Sequence, residues 1–186
     1  FSGEEMGLLG SNWWAKHPAV PIEELNYMIN MDMVGRLDTN NTIIINGVGT
    51  SPAWNVLRPD TAKAVKPVKR DPRKPKAPEP LKVKTTESGV GPSDHTSFYL
   101  KDVPVLHYFT GAHEDYHKPS DDEEKINYDG MLRITRHIED LIVSLNDSGK
   151  VAFTKTAVDT TSSPSFKVTL GVVPDYAYSG EGMRID

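Results

Sequence analysis

Cysteine is absent from all 186 residues. That excludes disulfides and thiolate metal sites, so a zinc ion here would have to sit on His, Asp or Glu, and the redox compartment stays open. Long hydrophobic runs are missing too. No stretch approaches the roughly 18 apolar residues that a membrane helix requires, so none is expected to span a bilayer. The net charge of −5 removes the general electrostatic reason to expect nucleic-acid binding. The chain opens on Phe1, with neither Met nor a basic region, so the lack of a visible signal peptide says nothing about targeting. No internal repeat is evident, and the length suits one domain of ordinary size with room for a small appendage.

The apolar pattern alternates between helical and strand periods. Residues 6–17 have helical character, with Leu8, Leu9, Trp13 and Trp14 available to pack, and stop before Pro18. Residues 25–34 read as a buried strand in which Tyr27, Met28, Ile29, Met31 and Met33 surround Asn30 and Asp32, so Asp32 falls near a strand terminus. A second strand is expected over residues 42–46, and a helix over 53–65 that Pro59 would interrupt. Residues 91–98 read as a short turn and helix, and 103–109 as a strand with Pro104 at its entrance. From Met131 onward, Ile134, Ile138, Leu141, Ile142 and Leu145 fall at helical spacing, with Gly149 as a natural stop. This alternation predicts an α/β fold.

One stretch breaks the pattern. Residues 58–84 hold ten Lys or Arg against Asp60, Asp71 and Glu79, a net +7 that leaves −12 for the remainder (−5 minus 7). With six prolines from Pro59 to Pro80 it cannot be a regular helix or central strand throughout, and a solvated excursion without assigned function is expected.

Two motifs carry potential chemistry. Glu4 and Glu5 stand together at an apparent strand-to-helix turn. A buried carboxylate pair is costly without a cation, a proton or good hydrogen bonds, which suits one Glu on a metal and its neighbour as base. A solvated pair near a helix N-terminus, where the dipole favours anions, is the plainer alternative. The second motif, His113-Glu114-Asp115-Tyr116-His117, satisfies H-E-x-x-H, which binds zinc when a helix puts both histidines on one face. Gly111 before it, Pro119 after it and the lack of a continuing amphipathic repeat argue against that helix. His117 remains a candidate for a single loop ligand, against the plainer reading of a surface or hydrogen-bonded histidine.

Taken in order, FSGEEMGLLGS, NMDMVGR, SDHTSFY and YHKPSDD, each at the edge of an expected element, resemble the co-catalytic di-zinc aminopeptidase family over about residues 1–147. That family includes bacterial leucyl aminopeptidases and the related glutaminyl cyclases. The resemblance implies a three-layer α/β/α zinc-exopeptidase fold with a central mixed sheet. It also implies roles: Glu4 as general base, Glu5 and His117 as ligands of one zinc, Asp32 as carboxylate ligand of the other, and Tyr116 as a stabiliser of the oxyanion. Ser93-Asp94-His95 matches a motif near the site whose members are not taken as ligands.

The departure from the family is equally specific. The histidine ligand and bridging aspartate normally found upstream of the Glu-Glu turn have no counterpart here, so the fold is expected to be incomplete at its N-terminus. The expected activity is zinc-dependent hydrolysis of N-terminal residues from peptide substrates, with two zinc ions in the intact parent. This chain alone should be inactive without the missing N-terminal part of the catalytic domain. Residues 1–155 would form the C-terminal part of that domain, 156–165 a linker, and 166–186, beginning at Phe166, the start of a unit resembling PDZ-like domains. A PDZ-bearing peptidase of this type suggests export to the periplasm or the extracellular space. Two other classes stay open: a mononuclear zincin using His113 and His117, and a noncatalytic peptide-binding scaffold built around the tail.

Overall fold

The computed structural model describes residues 1–58 and 79–157. Four strands form one sheet: β1 (Met28–Asp32), β2 (Thr42–Asn46), β3 (Lys82–Thr86) and β4 (Val105–Phe109). Their order is β1-β4-β2-β3, with β1 parallel to β4, β2 parallel to β3, and β2 antiparallel to β4, so the sheet is mixed as expected. Three helices cover it: α1 (Leu9–Lys16), α2 (His95–Tyr99) and α3 (Tyr128–Leu145).

The period-2 alternation of β4 separates the two faces. Leu106 and Tyr108 pack with Ile43 and Ile45 of β2 against Ile134, Ile138, Leu141 and Leu145 of α3. Val105 points the other way, into a smaller cluster with Phe98 and Tyr99 of α2, Trp14 of α1 and Met28 of β1. The result is a helix–sheet–helix sandwich, the three-layer α/β/α architecture. Asn127 caps α3, its Oδ1 accepting from Gly130 N at 2.8 Å while its Nδ2 donates to Leu37 O at 2.8 Å.

Several boundaries differ from the sequence expectation, each for a local reason. Helix α1 starts at Leu9 rather than Met6, because Gly3, Gly7 and Leu8 all adopt positive φ and spend residues 2–8 on turns. Strand β1 is partly exposed rather than buried, with Met31 54% exposed, because it lies at an edge of the described sheet. Of the helix expected over 53–65, the described part is a 3₁₀ segment over Pro52–Leu57 capped at Arg58, and residues 59–65 lie outside the described residues. Overlapping the end of the basic stretch, Lys82–Thr86 forms strand β3 at the opposite edge, its Lys82, Lys84 and Thr86 exposed in strict alternation. Lysines at a sheet edge oppose pairing with another chain. The rest of that stretch from Pro59 to Pro78, and the expected linker and PDZ-like unit from Val158 onward, lie outside the described residues. Helix α3 ends at Leu145, four residues before Gly149.

Candidate active site

The parallel pair β1 and β4 ends in register, Asp32 opposite Phe109, so the loops after both strands leave the same end of the sheet. In open α/β sheets that end is where ligands bind. Asp32 is the last residue of β1, and the loop after β4 carries His113, Tyr116 and His117. The turn before α1 brings in Glu4 and Glu5. His117 Nε2 meets Glu5 Oε1 at 2.8 Å, joining residues 112 positions apart in the chain. Both are exposed, and the Tyr116 ring stacks on that of His117 with centroids 3.8 Å apart. The carboxylate pair is therefore not buried as a unit: Glu4 is half-buried and Glu5 faces solvent.

Asp32 Oδ2 accepts from Ser93 Oγ at 2.8 Å, and Asn30 Nδ2 donates to the same hydroxyl at 2.8 Å. Burial, followed by the surrounding carboxylates of Asp32, Glu5 and Asp94, pushes the Glu4 carboxyl above its usual range, with a Ser93 hydrogen bond opposing. Glu4 is thus the residue on which the three other carboxylates converge electrostatically. Two non-glycine residues at this site, Met33 and His117, hold positive φ of 51° and 55°. Left-handed backbone costs about 1–2 kcal/mol per residue, and such strain collects at functional sites. Thr110 Oγ1 donates to the Met33 carbonyl and so ties the end of β1 to the start of the His117 loop.

That loop is held from below by Arg36, three residues beyond Met33. Its Nη2 reaches Asp115 Oδ2 at 2.5 Å and its Nη1 reaches Asp121 Oδ1 at 2.6 Å. Lys125 and Ser120 complete the bonding of Asp115. Together Lys125, Ser120 and Arg36 hold the Asp115 carboxyl well below the usual carboxylate range. Asp115 is therefore a structural anchor beside Tyr116 and His117. Sequence reading missed Arg36 and Asp115 as partners because they lie 79 positions apart.

The sequence profile of peptidase family M28 matches residues 1–142. The chain belongs to peptidase family M28. Its fold is similar to that of solved bacterial enzymes. The Legionella pneumophila LapA aminopeptidase aligns at 22% identity and TM-score 0.55, covering 76% of this chain and 36% of that one. The aminopeptidase of Aneurinibacillus sp. strain AM-1 aligns at 21% identity and TM-score 0.54, covering 86% and 34%. The zinc aminopeptidase BSAP of Bacillus subtilis aligns at 21% identity and TM-score 0.56, covering 85% and 36%. The chain thus spans little more than a third of the length of these structures. No curated protein matches it significantly.

For an M28 chain the question is whether the donors fit zinc. Carboxylate and imidazole are suitable ligand types, and the exposed Glu5–His117 pair presents one of each at contact distance. Among the described residues, however, no group of three or more His, Asp or Glu side chains converges as a metal cage. The donors therefore fit part of a zinc site. The H-E-x-x-H motif does not supply the rest, because Glu114 to His117 form turns and no helix puts both histidines on one face. His113 Nε2 instead faces Asp121 at 3.7 Å. A concavity of about 360 Å³ lined by Ile22, Leu25, Val103 and Phe153 lies at the opposite end of β4 and contains none of the candidate residues.

Proposed function

We propose that the protein containing this chain is a zinc-dependent aminopeptidase that removes N-terminal residues from peptides, and that this chain carries part of its catalytic centre. The observation behind the reading is the meeting of Glu5 and His117 in a family M28 chain, with Asp32 near enough to raise the Glu4 carboxyl. The names of the structural relatives, a LapA aminopeptidase and a zinc aminopeptidase, support both the reaction class and the metal.

In this reading Glu5 and His117 would hold one zinc and Asp32 would take part in holding a second. Zinc bound there supplies Lewis acidity and lowers the pKa of water. The chain's own residues do the rest. Glu4, with its raised pKa, takes up a proton closer to neutral pH than an ordinary carboxylate, which suits a general base that later returns the proton to the departing amine. Tyr116, braced by stacking on His117, is suited to donate its phenolic hydrogen bond to the carbonyl oxygen as negative charge develops there.

Three donors are too few for two metals, which also repel each other unless an anion bridges them. We infer that the remaining ligands come from another part of the protein, and that this chain alone binds zinc weakly and is inactive. Export to the periplasm or extracellular space belongs to the same proposal and rests on the family resemblance alone. In the active protein, Glu4→Gln should lower kcat by about 10²–10⁴-fold with zinc content unchanged on elemental analysis. Loss of zinc on that substitution would make Glu4 a ligand and overturn its assignment as base.

A further inference from the structure

The polar side chains beneath Asp32 form a chain that crosses every strand of the described sheet. On β3, Thr86 Oγ1 donates to Asn46 Oδ1 at 2.8 Å. On β2, Asn46 Nδ2 lies 3.1 Å from His107 Nδ1. On β4, His107 Nε2 lies 3.9 Å from Oδ2 of Asp32 at the end of β1. The strand register sets this up, since Asn46 stands opposite both Thr86 and His107, and His107 opposite Asn30.

The donors and acceptors in this chain can be assigned from one end. The Asp32 end decides the direction: a lone pair on His107 Nε2 would face a carboxylate oxygen, so Nε2 carries the proton, Nδ1 faces the Asn46 NH₂ group, and the Asn46 oxygen is left to accept from Thr86. An amide NH₂ only donates, so in the neutral imidazole Nδ1 accepts and does not carry the ring proton. Nε2, which faces Asp32, has no other partner among the described residues. His95 clamps the ring orientation by stacking on His107, centroids 4.5 Å apart and planes 16° off parallel. Gly91 makes room for that clamp, because a Cβ there would come within 2.9 Å of His95 Nε2.

Ser93 Oγ donates to Oδ2 of Asp32, and His107 Nε2 faces the same oxygen at 3.9 Å, beyond hydrogen-bond length, so its N–H acts on that oxygen electrostatically. We propose that His107, held in its Nε2–H tautomer by the Thr86–Asn46 relay, is a positioning residue that orients Asp32 so that its other oxygen, Oδ1, is presented to the metal. This rests on the reading of Asp32 as a zinc ligand. Groups behind a metal ligand fix its orientation and basicity, and losing one typically lowers metal affinity by about 10–100-fold.

The test combines a tautomer readout with zinc titration in the full protein. In ¹⁵N-histidine-labelled protein, imidazole ¹⁵N NMR should show His107 neutral with its proton on Nε2, with or without zinc. Asn46→Asp replaces the donor with an acceptor and should move the proton to Nδ1 while lowering zinc affinity about 10–100-fold. Should that variant not fold, His107→Leu should show the same loss, and His107→Gln, which keeps an N–H donor, should recover most of the affinity. An Nδ1–H tautomer in the unsubstituted protein would overturn the proposal. So would a tautomer switch that leaves zinc affinity unchanged, or equal affinity in the Leu and Gln variants. Absence of zinc uptake by the unsubstituted protein would instead overturn the zinc peptidase reading, and the tautomer would still be decided by NMR.

Discussion

Mild acid should destabilise this fold well before its carboxylates are protonated, and the stacked imidazoles His95 and His107 set the size of the effect. His95 is 0% exposed with neither ring nitrogen hydrogen-bonded, and His107 is 4% exposed. Burial, with His107 as a second cause, pushes His95 down to about 3. Burial also pushes His107 down to about 4, against an opposing pull from Asp32. In the unfolded chain both titrate near 6.5. Between about pH 6.5 and 4 the unfolded state therefore binds protons that the native state refuses, so the stability is present above that window and is lost as pH falls through it. Protonating one such histidine in the unfolded chain between pH 7 and 5 costs the fold about 2 kcal/mol, so the pair costs about 4 kcal/mol. That is a large share of the roughly 5–15 kcal/mol that a typical domain has. His113 and His137, also lowered chiefly by burial, act in the same direction. Glu4, raised by burial, acts in the opposite direction, and Asp115, held low by Lys125, acts only below this window. Urea unfolding at pH 7, 6 and 5 measures the loss directly, and His95→Leu, which removes one titrating group, should roughly halve it. Stability that stays flat from pH 7 to 5, or a variant that loses as much as the parent, would refute the reasoning.

Two further substitutions test the frame and the loop. Ile134→Ala should lower unfolding free energy by about 2–5 kcal/mol in denaturant titration, because Ile134 is fully buried between α3 and the sheet and its removal leaves a cavity. Arg36→Met should cost about 1–3 kcal/mol by leaving Asp115 and Asp121 without their shared guanidinium. It should also weaken zinc uptake, since that guanidinium anchors the loop bearing His117; unchanged zinc affinity in a folded Arg36→Met protein would show that the loop is held without it.

What could be read from the sequence was whatever repeats locally or sits at an element's end. The strand at Thr42–Asn46 was placed correctly because Ile43 and Ile45 face one core and the segment is bounded by turn residues. Helix α3 was legible from the 3.6-residue spacing of Ile134, Ile138, Leu141 and Leu145, although its start at Tyr128 depended on the Asn127 cap. Glu5, Asp32 and His117 were singled out only through the family resemblance of the ordered motifs, and of these the fold brings Glu5 and His117 into contact. Strand β3 was hidden because its lysines suit an exposed edge and read as part of a charged excursion. The polar chain behind Asp32 was invisible for a different reason. Thr86, Asn46 and His107 are spaced 40 and 61 positions apart, and each alone is an ordinary strand residue. They become a relay only because β2 is antiparallel to β4 and parallel to β3, which places Asn46 opposite both partners. A single-residue slip of β2 would turn Asn46 toward the α3 core and leave His107 Nδ1 without its donor. The registry of a middle strand, rather than any motif, thus decides which way the imidazole faces the candidate metal ligand.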